Sequence, residues 1–438
     1  MASPFAAVSR ALAWRRLPVL LLLAGALLRL VWAVATLPGS HAGGEIANVA
    51  IAYAHTGVLA DAFRPGQGPT AHVLPLPPVY AGLIYRALGV HAPAAELVLA
   101  GSAIALVMAG YALFYRAFGL MGMPRPWRIA ALAALCLVPL NMQLEIETFR
   151  IWEGGLSVAV AALFLWGLLT LERRAEVGWG AIIAMALLAA LLFFISPPLG
   201  LAGYLGALLL LIGRLPLRRW AGAAGIAVAA LALLIAPWAW RNQQVMGEAL
   251  PLRSNAGLEL ALGNHPAAAG PGDPRAVFKA RLDEIHPFES DSAFAAMQAA
   301  GGEIAYARGL GTTAKDWITS HPADFARLCG RHLRDFFFPP AWLWNVYSGA
   351  SRGTMVKVVI NALLSAAALT GALVAGIAAW RRYRFAILML VVPTLPYVIV
   401  QPVLRYRYII YALSVFFAAD LASRLQRRRG SAAADGVR

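Results

Sequence analysis

The sequence is poor in charged residues and in cysteine. Charged side chains make up only 13% of the 438 residues, whereas 60% of the residues are hydrophobic, and the mean hydropathy is +0.67. A soluble globular protein is excluded, because such proteins carry roughly 25% charged residues. The two cysteines provide no disulfide framework, since Cys136 lies in an apolar run and Cys329 near the end of a polar region.

Long apolar runs dominate the chain instead. Most are long enough to cross about 30 Å of hydrocarbon as a helix, and we predict an all-α polytopic membrane protein. The predicted spans are 17–37, 95–115, 128–142, 151–171, 178–195, 197–213, 220–240, 356–380, 385–402 and 407–423. For the first run a signal peptide is the alternative, because Ala33-Val34-Ala35 resembles a cleavage site, but the length of the run favours a retained span.

Acidic residues are also scarce, with 21 Asp and Glu against 37 Lys and Arg and a net charge of +16. With ten spans, the arginine clusters all fall on one side of the membrane, which the positive-inside rule assigns to the cytoplasm. These clusters lie within 10–16, 116–128, 173–174, 214–219, 381–384 and 424–429. We therefore predict cytoplasmic termini, and we interpret the basicity as a topology signal that implies no nucleic-acid partner.

The segment 75–89 has a short apolar stretch that begins with prolines. If it crossed the membrane, later arginine clusters would change sides. We interpret it as an amphipathic helix at the outer surface, with a structural re-entrant helix as the alternative. The chain then divides into a membrane module over 1–240 with a first outer loop at 38–94, an outer domain over 241–355, and a membrane module with a basic tail over 356–438.

The outer domain is predicted to be solvated and α-rich. It holds eleven basic and eleven acidic residues, so it is neutral overall. Helices are expected after Ser290 and from His321-Pro322 to Arg334, because polar residues and proline commonly begin helices.

Only two acidic residues, Glu45 and Asp61, lie in the first outer loop. Glu45 follows Gly43-Gly44 just outside the first span, where a carboxylate can activate an acceptor hydroxyl by general base catalysis. The competing interpretation is that Glu45 caps a helix running through 47–54. Taken alone, the two interpretations have equal weight.

Further acidic residues, Glu145, Glu147 and Glu153, flank Arg150 at the junction of two spans. Ionisable residues at membrane depth are costly and by default indicate function. The structural alternative is a salt bridge between Arg150 and one of these glutamates. Side chains predicted to support the site are Asp61, His72, Glu147, Arg150 and Glu153.

Four arginines, Arg241, Arg253, Arg405 and Arg407, face the outer side in this topology. Guanidinium groups hold phosphate oxygens with two parallel hydrogen bonds. We therefore predict that these arginines bind the phosphate of a lipid carrier that donates the group to be transferred. Anchoring at the membrane interface beside Trp and Tyr is the alternative. It explains less well why these four arginines lie on the outer side, against the positive-inside rule.

Several motifs in order along the chain resemble bacterial membrane glycosyltransferases of the GT-C class, family 39-like, which include protein O-mannosyltransferases and the lipid A aminoarabinose transferase. The segments that carry the resemblance are 45–50, 68–72, 75–80, 151–153, 241–242, 253–260, 263–266 and 405–408. The resemblance implies a GT-C-like multi-span bundle with jaw-like amphipathic helices, a polyprenyl-phosphate-linked sugar donor, and a bacterial inner-membrane location with a periplasmic active site. It makes Glu45 the counterpart of the family's acidic first-loop residue, and Arg405 or Arg407 the donor-phosphate ligand.

Many relatives have two neighbouring acids in the first loop, whereas Glu45 is followed by Ile46 here. A metal site is therefore left open. If a divalent ion binds, its ligands are Glu45 with Glu147 or His72, and oxygen ligands favour Mg²⁺ or Mn²⁺. The predicted reaction is a single displacement at the anomeric carbon with inversion, in which Glu45 takes the proton of a lipid, glycan or protein acceptor.

A transporter or flippase of lipid-linked saccharides is the alternative function. It would need polar groups through the membrane depth, but Arg29 is the main charge well inside a span, and Asp420 lies near an inner end. A third interpretation is an envelope scaffold without chemistry, in which Glu45 is replaceable without loss.

Overall fold

The computed structural model describes residues 4–37, 43–348 and 353–435, which form helices joined by turns. The helices are α1 Pro4–Thr36, α2 Glu45–Thr56, α3 Leu76–Leu88, α4 Pro93–Leu120, α5 Arg125–Leu137, α6 Gly154–Leu171, α7 Trp179–Ile195, α8 Pro197–Arg214, α9 Trp220–Met246, α10 Ala256–Gly263, α11 Pro266–Ala269, α12 Pro274–Ile285, α13 Asp291–Ala299, α14 Glu303–Ser320, α15 Pro322–Phe337, α16 Ala341–Ser348, α17 Thr354–Val391, α18 Leu395–Ile399, α19 Leu404–Arg407 and α20 Tyr411–Asp435. Within the described residues, the only strand-like pairing is an isolated bridge between Ala60 and Pro69. The predicted all-α fold is confirmed.

Among the described residues, seven helical segments are long and apolar enough to cross a membrane. They are Arg16–Thr36, Pro93–Leu120, Gly154–Leu171, Pro197–Arg214, Leu217–Met246, Thr354–Ile399 and Leu404–Arg428. The chain is therefore a multi-pass membrane protein.

The number of spans by this measure is smaller than the ten expected, for two physical reasons. The run 128–142 yields only α5, whose 13 residues are too few to cross, and α7 is also short, with 17 residues. The runs 356–380 and 385–402 are continuous in one helical segment that bends at Ala379, where the backbone is non-helical (φ −158°, ψ 56°). Every predicted run still contains a helix.

Small residues allow the membrane helices to approach closely, as is common where van der Waals packing drives association. Gly110 of α4 faces Val158 of α6, so that an added Cβ would lie 2.9 Å from the valine side chain. Gly371 of α17 packs directly on the backbone of Phe417 in α20. Around these contacts lies a buried core that includes Phe118, which stacks on Phe416 with ring centres 4.8 Å apart.

One buried ionic network joins the first span to the rest of the bundle. Arg29 Nε donates to Glu145 Oε2 at 2.6 Å, and both side chains are only 1% exposed. Tyr111 and Tyr408 donate to the other carboxylate oxygen at 2.7 and 2.6 Å. Arg29 also caps the end of α5 by donating to the carbonyl oxygens of Leu135 and Cys136. These charges are satisfied within the bundle, which favours a structural role.

The helix α6 links two chemically different ends of the molecule. At its start, Glu153 and Gly154 border a cavity. At its end, Glu172 accepts from Arg384 at 2.5 Å, and the arginine clusters at 173–174, 214–219 and 381–384 meet there. Eighteen residues separate these ends, or about 27 Å along a helix, so the cavity and the arginine-rich surface lie at opposite ends of the bundle.

The residues of the predicted outer domain form helices α10 to α16, so its α-rich character is confirmed. Ser290 accepts from the backbone N–H of Ala293 and begins α13, and Pro322 begins α15, as expected. The predicted amphipathic helix over 75–89 is α3. Its position at the membrane surface stays a prediction.

Candidate active site

A cavity of about 260 Å³ opens where α6, α8, α10 and α19 meet. Its wall combines four aromatic rings with four charged side chains. These are Phe149, Trp152, Tyr397 and Tyr406 together with Glu153, Arg253, Glu259 and Arg405. Apolar faces with a few placed polar groups are typical of ligand sites.

Arg405 is fixed on the cavity wall by aromatic stacking. Its Cζ lies 4.2 Å from the centre of the Trp152 ring and 5.2 Å from that of Tyr406. Tyr406 in turn stacks on Tyr397, with ring centres 4.6 Å apart. Stacking of this kind holds the guanidinium plane in one orientation, which suits bidentate contact with a phosphate. The position of Arg405 is compatible with its predicted role.

Arg253 and Glu153 form an ion pair at the cavity, with Arg253 Nη2 2.5 Å from Glu153 Oε1. Glu259 of α10 lies on the same wall. Burial raises the pKa of Glu259, and the nearby charge of Glu45 raises it further against the opposing effects of Arg405 and Arg253. The cavity therefore holds both cationic groups and a carboxyl group with a weakened tendency to ionise.

Glu45 is the first residue of α2 and lies in a cluster with two histidines. Gly44 enters the helix at φ +90°, a conformation that favours glycine. Glu45 Oε1 lies 3.6 Å from His286 Nε2 and 3.9 Å from His72 Nε2. His72 comes from the first outer loop and His286 from the turn after α12. The cluster thus joins the first outer loop to the outer domain.

Burial controls the titration of the cluster. It lowers the pKa of His72 to about 4 despite the opposing charge of Glu45, and it also lowers the pKa of His286. For Glu45, burial alone raises the pKa, but Arg405 and the protonated forms of His72 and His286 outweigh it and lower the pKa. At neutral pH the cluster consequently holds an ionised carboxylate beside two neutral imidazoles.

These three side chains fit a divalent metal ion. The candidate ligand atoms lie within 4.8 Å of one another, and atoms bound to one ion at about 2.0–2.2 Å lie on the order of 3–4 Å apart, so a small inward movement would complete the site. Two imidazole nitrogens and one carboxylate favour Mn²⁺ or Zn²⁺ over Mg²⁺. Of the expected ligand partners of Glu45, the structure brings His72 to the cluster and places Glu147 elsewhere.

The proton position on His286 offers a second possibility for the same three residues. The backbone N–H of Phe288 donates to His286 Nδ1 at 3.3 Å. In a neutral imidazole the proton then lies on Nε2, directed at Glu45. A metal at Nε2 would require this long backbone contact to be given up.

Residue Glu303 of α14 fixes the loop that carries His72. Its carboxylate accepts from Thr70 Oγ1 at 2.7 Å, from the backbone N–H of Ala71 at 2.7 Å and from Ser254 Oγ at 2.9 Å. His72 N donates to Thr70 Oγ1 at 3.1 Å. Burial raises the pKa of Glu303, although these donors oppose the rise.

Two predicted site residues shape the first outer loop rather than the cavity. Arg241 donates to the carbonyl oxygens of Thr70 at 2.8 Å and Leu59 at 2.6 Å. Asp61 adopts a positive φ of 62° and accepts from the backbone N–H of Gly68 at 2.9 Å. Residues 38–42 of this loop lie outside the described residues.

Three other predicted residues lie apart from the Glu45 cluster. Arg407 donates to Asn361 and Ser365 inside the bundle, and Glu147 accepts from Gln143 at 3.0 Å. Arg150 Nη1 pairs with Glu96 Oε2 at 2.9 Å. The salt bridge anticipated between Arg150 and a neighbouring glutamate is thus replaced by one to Glu96, while Glu153 pairs with Arg253.

Three residues of the site, His286, Glu259 and Glu303, were not predicted from the sequence. Glu259 lies within a segment that carried the family resemblance, so that segment held a usable signal. No local pattern marks His286 or Glu303, because their roles depend on partners in the first outer loop.

No protein-family model matches the chain, and no curated protein sequence matches it. Its fold is similar to that of the Archaeoglobus fulgidus oligosaccharyltransferase in the apo form, with a TM-score of 0.51, 14% identity, and coverage of 97% of this chain and 52% of that chain. It is also similar to the archaeal oligosaccharyltransferase AglB from Archaeoglobus fulgidus in complex with an inhibitory peptide and a dolichol-phosphate, with a TM-score of 0.50, 14% identity, and coverage of 95% and 52%.

This chain spans about half the length of the two similar proteins. The likeness is one of fold, and it confirms the expected GT-C-like helical bundle. The narrower resemblance to family 39 stays a prediction.

Proposed function

We propose that the protein is a glycosyltransferase that moves a sugar from a polyprenyl-phosphate-linked donor to an acceptor. The observation that carries this proposal is the Glu45 cluster, which interacts electrostatically with Arg405 and Glu259 on the wall of the cavity, in a GT-C-like fold. The solved relative that binds a dolichol-phosphate supports a lipid-phosphate donor. The acceptor is a lipid, a glycan or a protein.

The donor phosphate binds at Arg405, with the sugar against the aromatic wall of the cavity. Arg253 stays paired with Glu153 and adds positive charge near the departing phosphate. Placed positive groups stabilise charge that develops on a leaving group. Arg241 is not part of this proposal as a phosphate ligand, since its nitrogens hold the loop that carries His72.

Glu45 accepts the proton of the acceptor hydroxyl as that oxygen bonds to the anomeric carbon. The bond from this carbon to the phosphate oxygen breaks in the same step, and the lipid phosphate leaves with the bonding electrons. The low pKa of Glu45 keeps it ionised for this role. One displacement inverts the anomeric configuration.

Glu45, His72 and His286 are the residues that would hold a divalent cation. Such an ion would supply positive charge for the phosphate oxygens. A neutral imidazole has one nitrogen lone pair for binding, so a metal at His286 Nε2 would require the proton to lie on Nδ1 instead. When no ion is bound, the proton on His286 Nε2 orients the Glu45 carboxylate.

The site lies at the end of α6 opposite the Arg384–Glu172 pair. With the arginine-rich end in the cytoplasm, we place the protein in the bacterial inner membrane and the active site on the periplasmic side. Cytoplasmic termini, which require an even number of crossings, stay a prediction. The transporter alternative has less support, because Arg29 and Glu145 are bound to each other inside the bundle.

The stereochemistry of the product tests this mechanism. The purified protein is incubated with lipid-linked sugars of known anomeric configuration and with envelope glycolipids, and the new linkage is assigned by NMR. We expect an inverted linkage together with free polyprenyl phosphate. Retention of configuration would rule out the single displacement.

A further inference from the structure

A second, smaller cavity lies behind the wall of the first. It measures about 70 Å³, room for about two water molecules by liquid volume, so it suits a small group rather than a sugar ring. Glu147, Lys357 and Arg407 bring two positive charges and one negative charge to its wall. The cavity is therefore suited to a small anion.

The two cavities share one wall, formed by residues 148–149 and 404–409. Thr148, Leu404 and Tyr408 line the smaller cavity. Phe149, Arg405 and Ile409 line the larger one. Arg405 and Arg407, both predicted to hold the donor phosphate, are thus divided between two cavities.

Arg407 is built into the smaller cavity with little freedom. It is 5% exposed, and it donates to Asn361 Oδ1 at 2.5 Å and to Ser365 Oγ at 2.7 Å. Its Nε has no hydrogen-bond partner among the residues that the structure describes. A buried guanidinium with an unused donor gains from an anionic ligand.

The surroundings of Lys357 point to the bilayer as the source of that ligand. Lys357 lies in the first turn of the span Thr354–Ile399. Its neighbours Met355, Val356 and Val359 are 60%, 59% and 52% exposed, as expected for a surface that faces lipid. The cation therefore stands where a membrane span meets the headgroup region.

An apolar groove of about 300 Å³ continues from the smaller cavity between α5, α17 and α20. Leu140 lines both, and Ile360, Leu364 and Val415 line the groove. A polar cavity next to an apolar groove matches the headgroup and the acyl chain of a lipid.

We propose that Arg407 and Lys357 bind the phosphate monoester of a second lipid, whose chain lies in the groove between α5, α17 and α20. This lipid differs from the donor, whose phosphate belongs to the Arg405 cavity. That distinction between the two lipids rests on the proposed function.

Native mass spectrometry of the full chain tests the proposal by counting bound lipids. The probes are a polyprenyl monophosphate for the donor cavity and phosphatidic acid for the second site, with phosphatidylcholine as the control lipid. We expect one copy of each anionic lipid to bind at the same time. Mutual displacement of the two lipids would overturn the proposal, because it would mean one shared site.

Variants assign the two sites to their residues. Lys357→Gln should weaken phosphatidic acid binding about tenfold, the loss expected for one charge-assisted hydrogen bond, and should leave polyprenyl phosphate binding unchanged. Lys357→Arg should restore phosphatidic acid binding. Arg405→Gln should weaken polyprenyl phosphate binding and leave phosphatidic acid binding unchanged. Because Lys357 is partly exposed, the variant is expected to fold.

Unchanged phosphatidic acid binding in Lys357→Gln would contradict the second site. A failure of polyprenyl phosphate to bind the native protein would instead count against the proposed function. The Lys357-dependent binding of phosphatidic acid would still be measurable in that case, so the two failures are distinguishable.

Discussion

His286 Nε2 lies 3.6 Å from Glu45 Oε1, although the two residues come from the outer domain and the first outer loop. His72 lies 3.9 Å from the same oxygen. The carboxylate predicted to act as a base is therefore held between two buried imidazoles. Phe63 encloses the cluster, with its ring centre 4.6 Å from that of His72 and 6.0 Å from that of His286.

Metal binding is expected to depend on His286. We predict that the His286→Ala variant loses at least about tenfold in affinity for Mn²⁺ or Zn²⁺, because a carboxylate and one imidazole remain. Metal titration of the purified protein with measurement of metal content checks this. The control is His55→Ala, since His55 is an exposed histidine in the last turn of α2. Equal affinity in the His286→Ala and native proteins would exclude His286 as a ligand.

The protein should become less stable as the pH is lowered, because His72 is buried in its neutral form. Its pKa is about 4 in the folded protein and about 6.5 in the unfolded chain. The unfolded chain therefore binds the proton first, and the free energy of unfolding decreases as pH falls from about 6.5 to about 4, by on the order of 3 kcal/mol. His72→Gln should flatten this dependence in thermal unfolding between these pH values. An unchanged pH profile in the variant would show that His72 is not the titrating group.

Glu303 is expected to position the loop that carries His72. In Glu303→Gln, an amide N–H₂ would replace one acceptor oxygen facing Thr70, Ala71 and Ser254. We predict a loss of about 1–3 kcal/mol in the free energy of unfolding and weaker metal binding. Denaturant unfolding and metal titration measure the two effects, with Glu284→Gln as an exposed control. Full metal affinity in Glu303→Gln would limit Glu303 to a role in stability.

Arg405 is expected to bind the donor phosphate, whereas Arg241 is expected to stabilise the fold. Arg405→Gln should weaken binding of a polyprenyl monophosphate about tenfold or more, because one charge-assisted contact is lost, and should leave the unfolding temperature near that of the native protein. Arg241→Gln should mainly lower the unfolding temperature, since it removes the bonds to Leu59 and Thr70. Lipid binding and thermal unfolding of both variants check the contrast. If Arg241→Gln weakened lipid binding and Arg405→Gln lowered the unfolding temperature, the donor phosphate would be assigned to Arg241 instead.

The membrane helices could be predicted because each apolar run has the length and composition of a helix in lipid. The bend at Ala379 could not, because neither a proline nor a glycine stands at that position. Ten spans were expected because the runs 128–142 and 178–195 were counted as spans and the segment Thr354–Ile399 was counted as two.

The site could be predicted in part. Glu45 was predicted from its place in the first outer loop, and Arg405 from its position on the outer side, away from the cytoplasmic arginine clusters. His286 could not be predicted, because only tertiary packing brings it to Glu45. Arg405 and Arg407 are two positions apart in the sequence, yet the short helix α19 turns them into different cavities.

The role of Glu45 is tested most directly by the turnover of its glutamine variant. Glu45→Gln keeps the size and polarity of the side chain but removes the basic oxygen. We predict that release of polyprenyl phosphate from lipid-linked sugar falls by about 10²–10⁴-fold, the usual contribution of a general base, while the surface control Glu248→Gln retains native turnover. Equal turnover of Glu45→Gln and the native protein would contradict the assignment of Glu45 as the base.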